Sequence, residues 1–244
     1  MSKRRRGIYL LPNLFTTSAL FCGFYAIVAA INARYEPAAI AIFVAMVLDG
    51  MDGRIARMTN TQSDFGVQYD SLSDLISFGL APSLVMYQWS LYGIGKLGWL
   101  AAFIFAAATA LRLARFNTQA ENDDKQFFQG LPSPAAGALI AGFIWMGDAS
   151  GLYDGTNLVW LSFPLTIAAG ILMVSNIRYH SFKQFDLKDR VPFIQVTILV
   201  LVLALVAVRP SVVLFLLAFT YALSGPLITL MLIRRHRAIR RTQE

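Results

Sequence analysis

Four aspartates, Asp49, Asp52, Asp70 and Asp74, stand within or at the ends of stretches that are otherwise strongly apolar. On helices, the i, i+3 spacing of the first two and the i, i+4 spacing of the last two put each pair on one face. A short connection separates the pairs, so the two faces can meet. Carboxylates crowded in this way cannot all stay ionised without cationic charge between them, and acidic side chains inside membrane spans are costly enough to signal function. Lysine and arginine are poor fillers for a whole cluster. Hard divalent cations such as Mg2+ take oxygen ligands from carboxylates and from substrate phosphates, and two of them roughly 3.5–4 Å apart can clamp the entering and leaving oxygens of a phosphoryl displacement. The neighbouring residues suit that chemistry. Gly53 and Ala56 leave a bare strip of helix beside Asp52, Gly66 removes a side chain on the approach to Asp70, and Arg57 offers fixed positive charge to a phosphate.

The elements that must carry these residues follow from composition. Apolar residues make up 57% of the 244 and charged residues 14%, against about a quarter charged in soluble domains. The apolar runs are long enough to cross a ~30 Å hydrocarbon core. Eight spans are expected, over 8–31, 37–57, 68–92, 97–116, 131–147, 157–175, 191–208 and 210–233, giving an all-α transmembrane bundle. With both termini cytoplasmic, eighteen of the 21 Lys and Arg residues fall on the inner side, leaving only Arg34, Lys96 and Arg209 outside. Dropping a middle span destroys that division. The run from Ile8 to Ile31 is too long for the apolar core of a signal peptide and carries Pro12 and Asn13, so it is expected to stay as the first span. No linker divides the chain. A single membrane domain is expected over 1–233, with a basic cytoplasmic tail over 234–244. A pI near 9.8 reflects basic residues beside spans, which attract anionic lipid rather than nucleic acid. The lone Cys22 excludes an internal disulfide.

The segment from Asp49 to Asp74, DGMDGRIARMTNTQSDFGVQYDSLSD, resembles the signature of the CDP-alcohol phosphatidyltransferase family, D-x-x-D-G-x-x-A-R, eight residues, then G-x-x-x-D-x-x-x-D, at every fixed position. The resemblance implies that Asp49, Asp52 and Asp70 bind two divalent ions, Mg2+ or Mn2+. Asp74 would share in metal binding and act as general base. Gly53, Arg57 and Ser63 would lie along the CDP portion of CDP-diacylglycerol. Pro12-Asn13-Leu14-Phe15-Thr16 is similar to the family's P-N-x-x-T element, which sets Asn13 and Thr16 toward the same donor. A homodimer in the cytoplasmic membrane, with its active site facing the cytoplasm, is also implied.

The acceptor is indicated by weaker features. The runs Ser73–Pro82, Arg112–Asn117 and Gly130–Ala136 look like the branch of the family whose acceptor is L-serine. Serine brings a carboxylate, and Arg112 and Arg115, at i, i+3 on the cytoplasmic end of the fourth span, are candidates to clamp it. A glycerol-3-phosphate acceptor is the alternative within the family. A cation or proton transporter is the alternative outside it, disfavoured because the carboxylates lie near one membrane face and no internal repeat accompanies them.

Overall fold

The computed structural model describes residues 10–59, 63–119, 127–149, 151, 155–180 and 193–241. It is helical throughout, apart from one pair of three-residue strands. Helices α1 (Leu10–Ile31) and α2 (Tyr35–Thr59) form a hairpin. Helix α3 (Asp64–Asp74) runs through a π-helical turn, Leu75–Leu80, into α4 (Ala81–Trp89). Then come α5 (Lys96–Gln119), β1 (Phe127–Gln129), α6 (Ser133–Ala149), α7 (Val159–Val174), β2 (Arg178–His180), α8 (Phe193–Val208) and α9 (Pro210–Arg241). The described parts of the expected spans are largely helical. Four helical stretches, Pro12–Ile31, Lys96–Thr118, Gly155–Val174 and Pro210–Met231, are long and apolar enough to cross a membrane by themselves.

The α1–α2 hairpin closes through Asn32, Ala33 and Arg34. Ala33 takes the left-handed conformation (φ 54°) while the Arg34 N–H reaches back to the Ala29 carbonyl at 2.9 Å, a helix C-terminal motif that satisfies an otherwise orphaned acceptor. Thr16 and Asp52 lie on the order of 25 Å down their helices from this turn at 1.5 Å per residue. The hairpin thereby sets them beside each other at the far end. A contact from another helix secures the near end. Asp148 at the end of α6 accepts the Glu36 N–H at 3.0 Å, and Trp145 Nε1 donates to Glu36 Oε1 at 3.0 Å.

The core is built from small residues. Ala26, Ala29, Ala30, Ala38, Ala39 and Ala45 are buried, and α1 packs along α2 through this surface. Without a hydrophobic drive between helices in lipid, close backbone approach and buried hydrogen bonds hold such bundles together. The α1–α3 junction uses both. Ser73 Oγ donates to the Thr16 carbonyl (3.1 Å) and Ser77 Oγ to the Ala19 carbonyl (3.0 Å). A Cβ on Gly23 would stand 2.7 Å from the Ser77 Cα.

Two features depart from the expected picture. The first is a strand pair where the sequence suggested no strand: β1 pairs antiparallel with β2, Phe128 opposite Tyr179. Gly130 (φ 74°) permits this, since a Cβ there would meet the Met173 carbonyl oxygen at 2.2 Å. The all-helical character stands, with this strand pair as its one exception among the described residues. The second is the π-turn after Asp74, in which the Ala81 N–H bonds to Ile76 O, five residues back. Pro82 follows. A proline removes one donor and crowds the carbonyl four residues earlier, and a π-turn is one way a helix absorbs such a site.

The Gly23 contact yields a prediction. Gly23→Ala places a methyl against backbone that cannot rotate away, so α1 must move off the third span. Overpacking of this kind costs about 1–3 kcal/mol. Thermal unfolding in detergent should show a lower midpoint, and an unchanged midpoint would mean that the two helices are not held this closely.

Candidate active site

Helices α2 and α3 bring three of the four aspartates together. Carboxylate oxygens of Asp49, Asp70 and Asp74, one from each, all lie within 4.8 Å of one another. Asp70 and Asp74 each have a buried Oδ1 with no hydrogen-bond partner among the described residues. Buried polar atoms are almost always partnered, and a buried carboxylate oxygen left without a donor is the atom a hard cation would engage. The donor set therefore fits a divalent metal.

Asp52 stands one turn beyond Asp49, buried, in electrostatic contact with both Asp49 and Asp70. One of its oxygens is already engaged: Thr16 Oγ1 donates to Asp52 Oδ2 at 2.8 Å. The same hydroxyl lies 3.1 Å from the Pro12 carbonyl, so its single proton is shared between helix and carboxylate. Thr16 thus orients Asp52. Because the Ser73 hydroxyl binds the Thr16 carbonyl, and Ser73 adjoins Asp74 in the chain, one residue of α1 ties the positions of both acidic pairs. The sequence offered Thr16 as a donor contact; its bond to Asp52 is an additional duty, legible only once α1 and α2 are paired.

The remaining candidates surround this centre unequally. Ser63 caps α3, its hydroxyl accepting the Gly66 N–H at 3.1 Å. At Gly66 a Cβ would stand 3.2 Å from Ser63 Oγ and 3.8 Å from Asn13 Oδ1. Asn13, Ser63 and Gly66 therefore lie together beside the acidic cluster, on the side where Tyr69 meets Thr17 (2.8 Å). Gly53 has open space where a side chain would stand, and Ala56 is half-buried one turn on, so the bare strip exists. Arg57 sits on α2 in phase with Gly53, its side chain outside the described residues.

The two arginines have different partners. Arg112 is buried at 9% exposure, its Nη1 donating to Ser133 Oγ at 2.7 Å, and it is in electrostatic contact with Asp74. Its buried Nε has no hydrogen-bond partner among the described residues. Arg115 turns to the end of α7, donating to the Val174 carbonyl (3.1 Å) and toward Asn176 Oδ1 (3.4 Å). The two share a helix face but bond to different protein groups.

Sequence reasoning passed over Ser133, which lies in the Gly130–Ala136 run but was assigned no role, and the pair Tyr179 and Tyr221. Tyr179 is fully buried, donates its hydroxyl to the Ala222 carbonyl at 2.9 Å and packs against Tyr221 with 5.6 Å between ring centroids. Burial, with Tyr221 adding to it, pushes the Tyr179 phenol up to about 12, so it remains a donor at any physiological pH. No periodicity marks either tyrosine.

Comparison with known proteins covers the acidic cluster. A family model of CDP-alcohol phosphatidyltransferases matches residues 9–171. A protein of Helicobacter pylori named CDP-diacylglycerol–serine O-phosphatidyltransferase is 41% identical over 205 residues, 83% of this chain and 84% of that protein. Proteins of the same name from Mycobacterium tuberculosis (35% identical; 71% of this chain, 62% of that protein) and Bacillus subtilis (34%; 71% and 92%) are also similar.

If the acidic cluster holds a metal, removing one charge should weaken it without unfolding the bundle. For Asp70→Asn, Mn2+ titration followed by electron paramagnetic resonance should show at least a tenfold loss of affinity. Thr16→Val, which frees Asp52 but leaves every carboxylate, should cost less. Equal affinity in Asp70→Asn and the parent protein would remove Asp70 from the ligand set.

Proposed function

The chain belongs to the CDP-alcohol phosphatidyltransferase family, and on that footing we propose that it transfers the phosphatidyl group of CDP-diacylglycerol to L-serine, giving phosphatidylserine and CMP. The observation that carries the reading is the cluster of Asp49, Asp70 and Asp74, with two buried oxygens left unpartnered, inside a segment that fits the family signature. The serine assignment draws on the shared name of relatives up to 41% identical over most of the chain, and on a buried cation next to Asp74 that suits an acceptor carrying a carboxylate.

Asp49, Asp52, Asp70 and Asp74 hold two divalent ions, Mg2+ or Mn2+, which when bound neutralise the donor's diphosphate and the charge that develops on the departing CMP. Asn13, Thr16, Gly53, Ala56, Arg57, Ser63 and Gly66 line the donor's nucleotide side, the glycines letting it approach backbone. Arg112 holds the serine carboxylate, while Arg115 steadies α5 from the side through the end of α7. Asp74 takes the proton of the serine hydroxyl. That oxygen then forms a bond to the phosphorus bearing diacylglycerol as the bond from phosphorus to the CMP oxygen breaks. No covalent enzyme intermediate is needed, because one pocket holds donor and acceptor in reacting geometry.

The protein is a membrane protein. Our reading of its topology is eight spans with both termini in the cytoplasm, the four aspartates near the cytoplasmic face of the cell membrane, and a homodimer as the assembly. The acyl chains then stay in lipid while the headgroup reaches the carboxylates.

Two experiments test this. Purified protein in mixed micelles with CDP-diacylglycerol and Mn2+ should release CMP on adding L-serine, and far less on adding glycerol 3-phosphate or inositol; preference for either of the latter would replace the serine assignment. Asp74→Asn should abolish release while retaining more donor binding than Asp70→Asn. For topology, Thr156→Cys in a Cys22→Ala background should label with an impermeant thiol reagent in intact cells, and Asn176→Cys should not. The opposite labelling would invert the arrangement.

A further inference from the structure

Three consecutive hydroxyls near the start of α1 each donate back to the carbonyl four residues earlier: Thr16 to Pro12 (3.1 Å), Thr17 to Asn13 (2.7 Å) and Ser18 to Leu14 (2.8 Å). Bonds of this kind do little for a helix's own stability, and two of these hydroxyls have a second partner on another helix. Thr16 meets Asp52 on α2. Thr17 meets Tyr69 on α3, with 2.8 Å between the hydroxyl oxygens, and the transfer chemistry makes no use of that contact.

The protons of this second tie can be assigned. A carbonyl oxygen only accepts, so the contact between Thr17 and Asn13 takes the one proton that the Thr17 hydroxyl carries. The Tyr69 hydroxyl must then donate to Thr17 Oγ1. Two bonds in series run from the Tyr69 phenol through Thr17 to the Asn13 carbonyl. Asn13 is the residue whose Oδ1 would stand 3.8 Å from a Cβ on Gly66, next to the cap that Ser63 places on the Gly66 N–H. Tyr69 follows Gly66 by one turn on the face that meets α1, and Ser73 and Ser77 continue the same seam. Among the described residues it is the hydrogen-bonded tie to α1 nearest the Ser63–Gly66 edge. Its ring is held as well: Phe65, one turn earlier, stacks on it with 13° between the planes and 5.9 Å between centroids.

We propose that Tyr69 is a positioning residue for CDP-diacylglycerol: by donating to Thr17 it holds Asn13 against the Ser63–Gly66 edge, so that the nucleotide side of the donor meets a wall already formed. The inference rests on the reading above that Asn13, Ser63 and Gly66 take the donor, and it names the residue that fixes their spacing. Tyr69 acts through Thr17 and Asn13 and has no part in the displacement. A wall that must be assembled on binding weakens affinity for the donor, while the complex once formed reacts as before.

The test uses full-length enzyme in mixed micelles with Mn2+. Calorimetric titration without serine gives the Kd for CDP-diacylglycerol, and initial rates with serine give kcat and both KM values. Tyr69→Phe keeps the ring and its stacking but loses the proton donor. Its Kd and KM for the lipid donor should rise about threefold to tenfold, with kcat and the KM for serine within about twofold of wild type. General loosening of the bundle would move all of these together. Thr17→Val should lose at least as much, and Thr17→Ser, which restores the hydroxyl, should recover most of that loss. Tyr69→Phe combined with Thr17→Val should be no weaker than Thr17→Val alone, because both act through one bond. An unchanged donor Kd in Tyr69→Phe, additive losses in the double variant, or an equal fall in kcat overturns the positioning role. Should Tyr69→Phe yield no folded protein, equal donor affinity in Thr17→Val and Thr17→Ser overturns it instead. Asn13→Ala separates this inference from the reading beneath it. If that variant binds the donor as wild type does, the donor does not lie on this edge and both fall. If it binds weakly while Tyr69→Phe binds normally, the donor reading stands and the positioning role alone falls.

Discussion

Repulsion among four carboxylates at the meeting of α2 and α3 is the constraint around which the rest of the bundle is arranged. In a half-buried site, charges a few ångströms apart interact far more strongly than in water, and among the described residues the cluster has only one buried guanidinium in attendance, itself turned partly to Ser133. Left alone, the two helices would relieve the strain by moving apart. What opposes separation is packing with little give: alanines between α1 and α2, a glycine against the Ser77 backbone, and serine hydroxyls seated on the carbonyls of α1. Rigidity here serves affinity. A site held open for cations need not be reorganised when they arrive.

Thr16 shows how economically this is done. A single hydroxyl aims Asp52, and the carbonyl of the same residue receives Ser73, the neighbour of Asp74. Displacement of α1 would therefore disturb both acidic pairs at once. That coupling gives a physical reason for the first helix to carry polar residues so near its start, where an ordinary span would be uniformly apolar.

Much of this was legible in the sequence, and the division is instructive. Asp49, Asp52, Asp70 and Asp74 stood out because acids are rare in spans, and the helices were found because apolar runs of that length have one common use. The bare strip at Gly53 was read correctly because missing side chains are visible in a sequence. The protein partners of Arg112 and Arg115 were not, since i, i+3 spacing defines a shared face without saying which neighbours it meets; Arg115 meets the end of α7. The β1–β2 pair has too few residues for alternation to show. Tyr221 is one aromatic among many in an apolar helix, and only tertiary contact distinguishes it. The π-turn also left no trace in hydropathy, because its residues are those an α-helix would carry.

That turn has a consequence for how the enzyme can change over evolutionary time. A π-turn contains one residue more than the α-helical turn it replaces, so it takes up an extra residue while the helix on either side keeps nearly the phase of a continuous α-helix. Loss of one residue from Leu75–Leu80 would let the third span wind as continuous α-helix, with Asp70 and Asp74 still facing Asp49. A purely α-helical stretch has no such slack, because each of its residues advances the azimuth by about 100°; a loss between Asp70 and Asp74 would turn one carboxylate away from the other. A lineage could therefore shed one residue between Asp74 and Ala81 and keep its chemistry, but not one from the turn that separates the two aspartates.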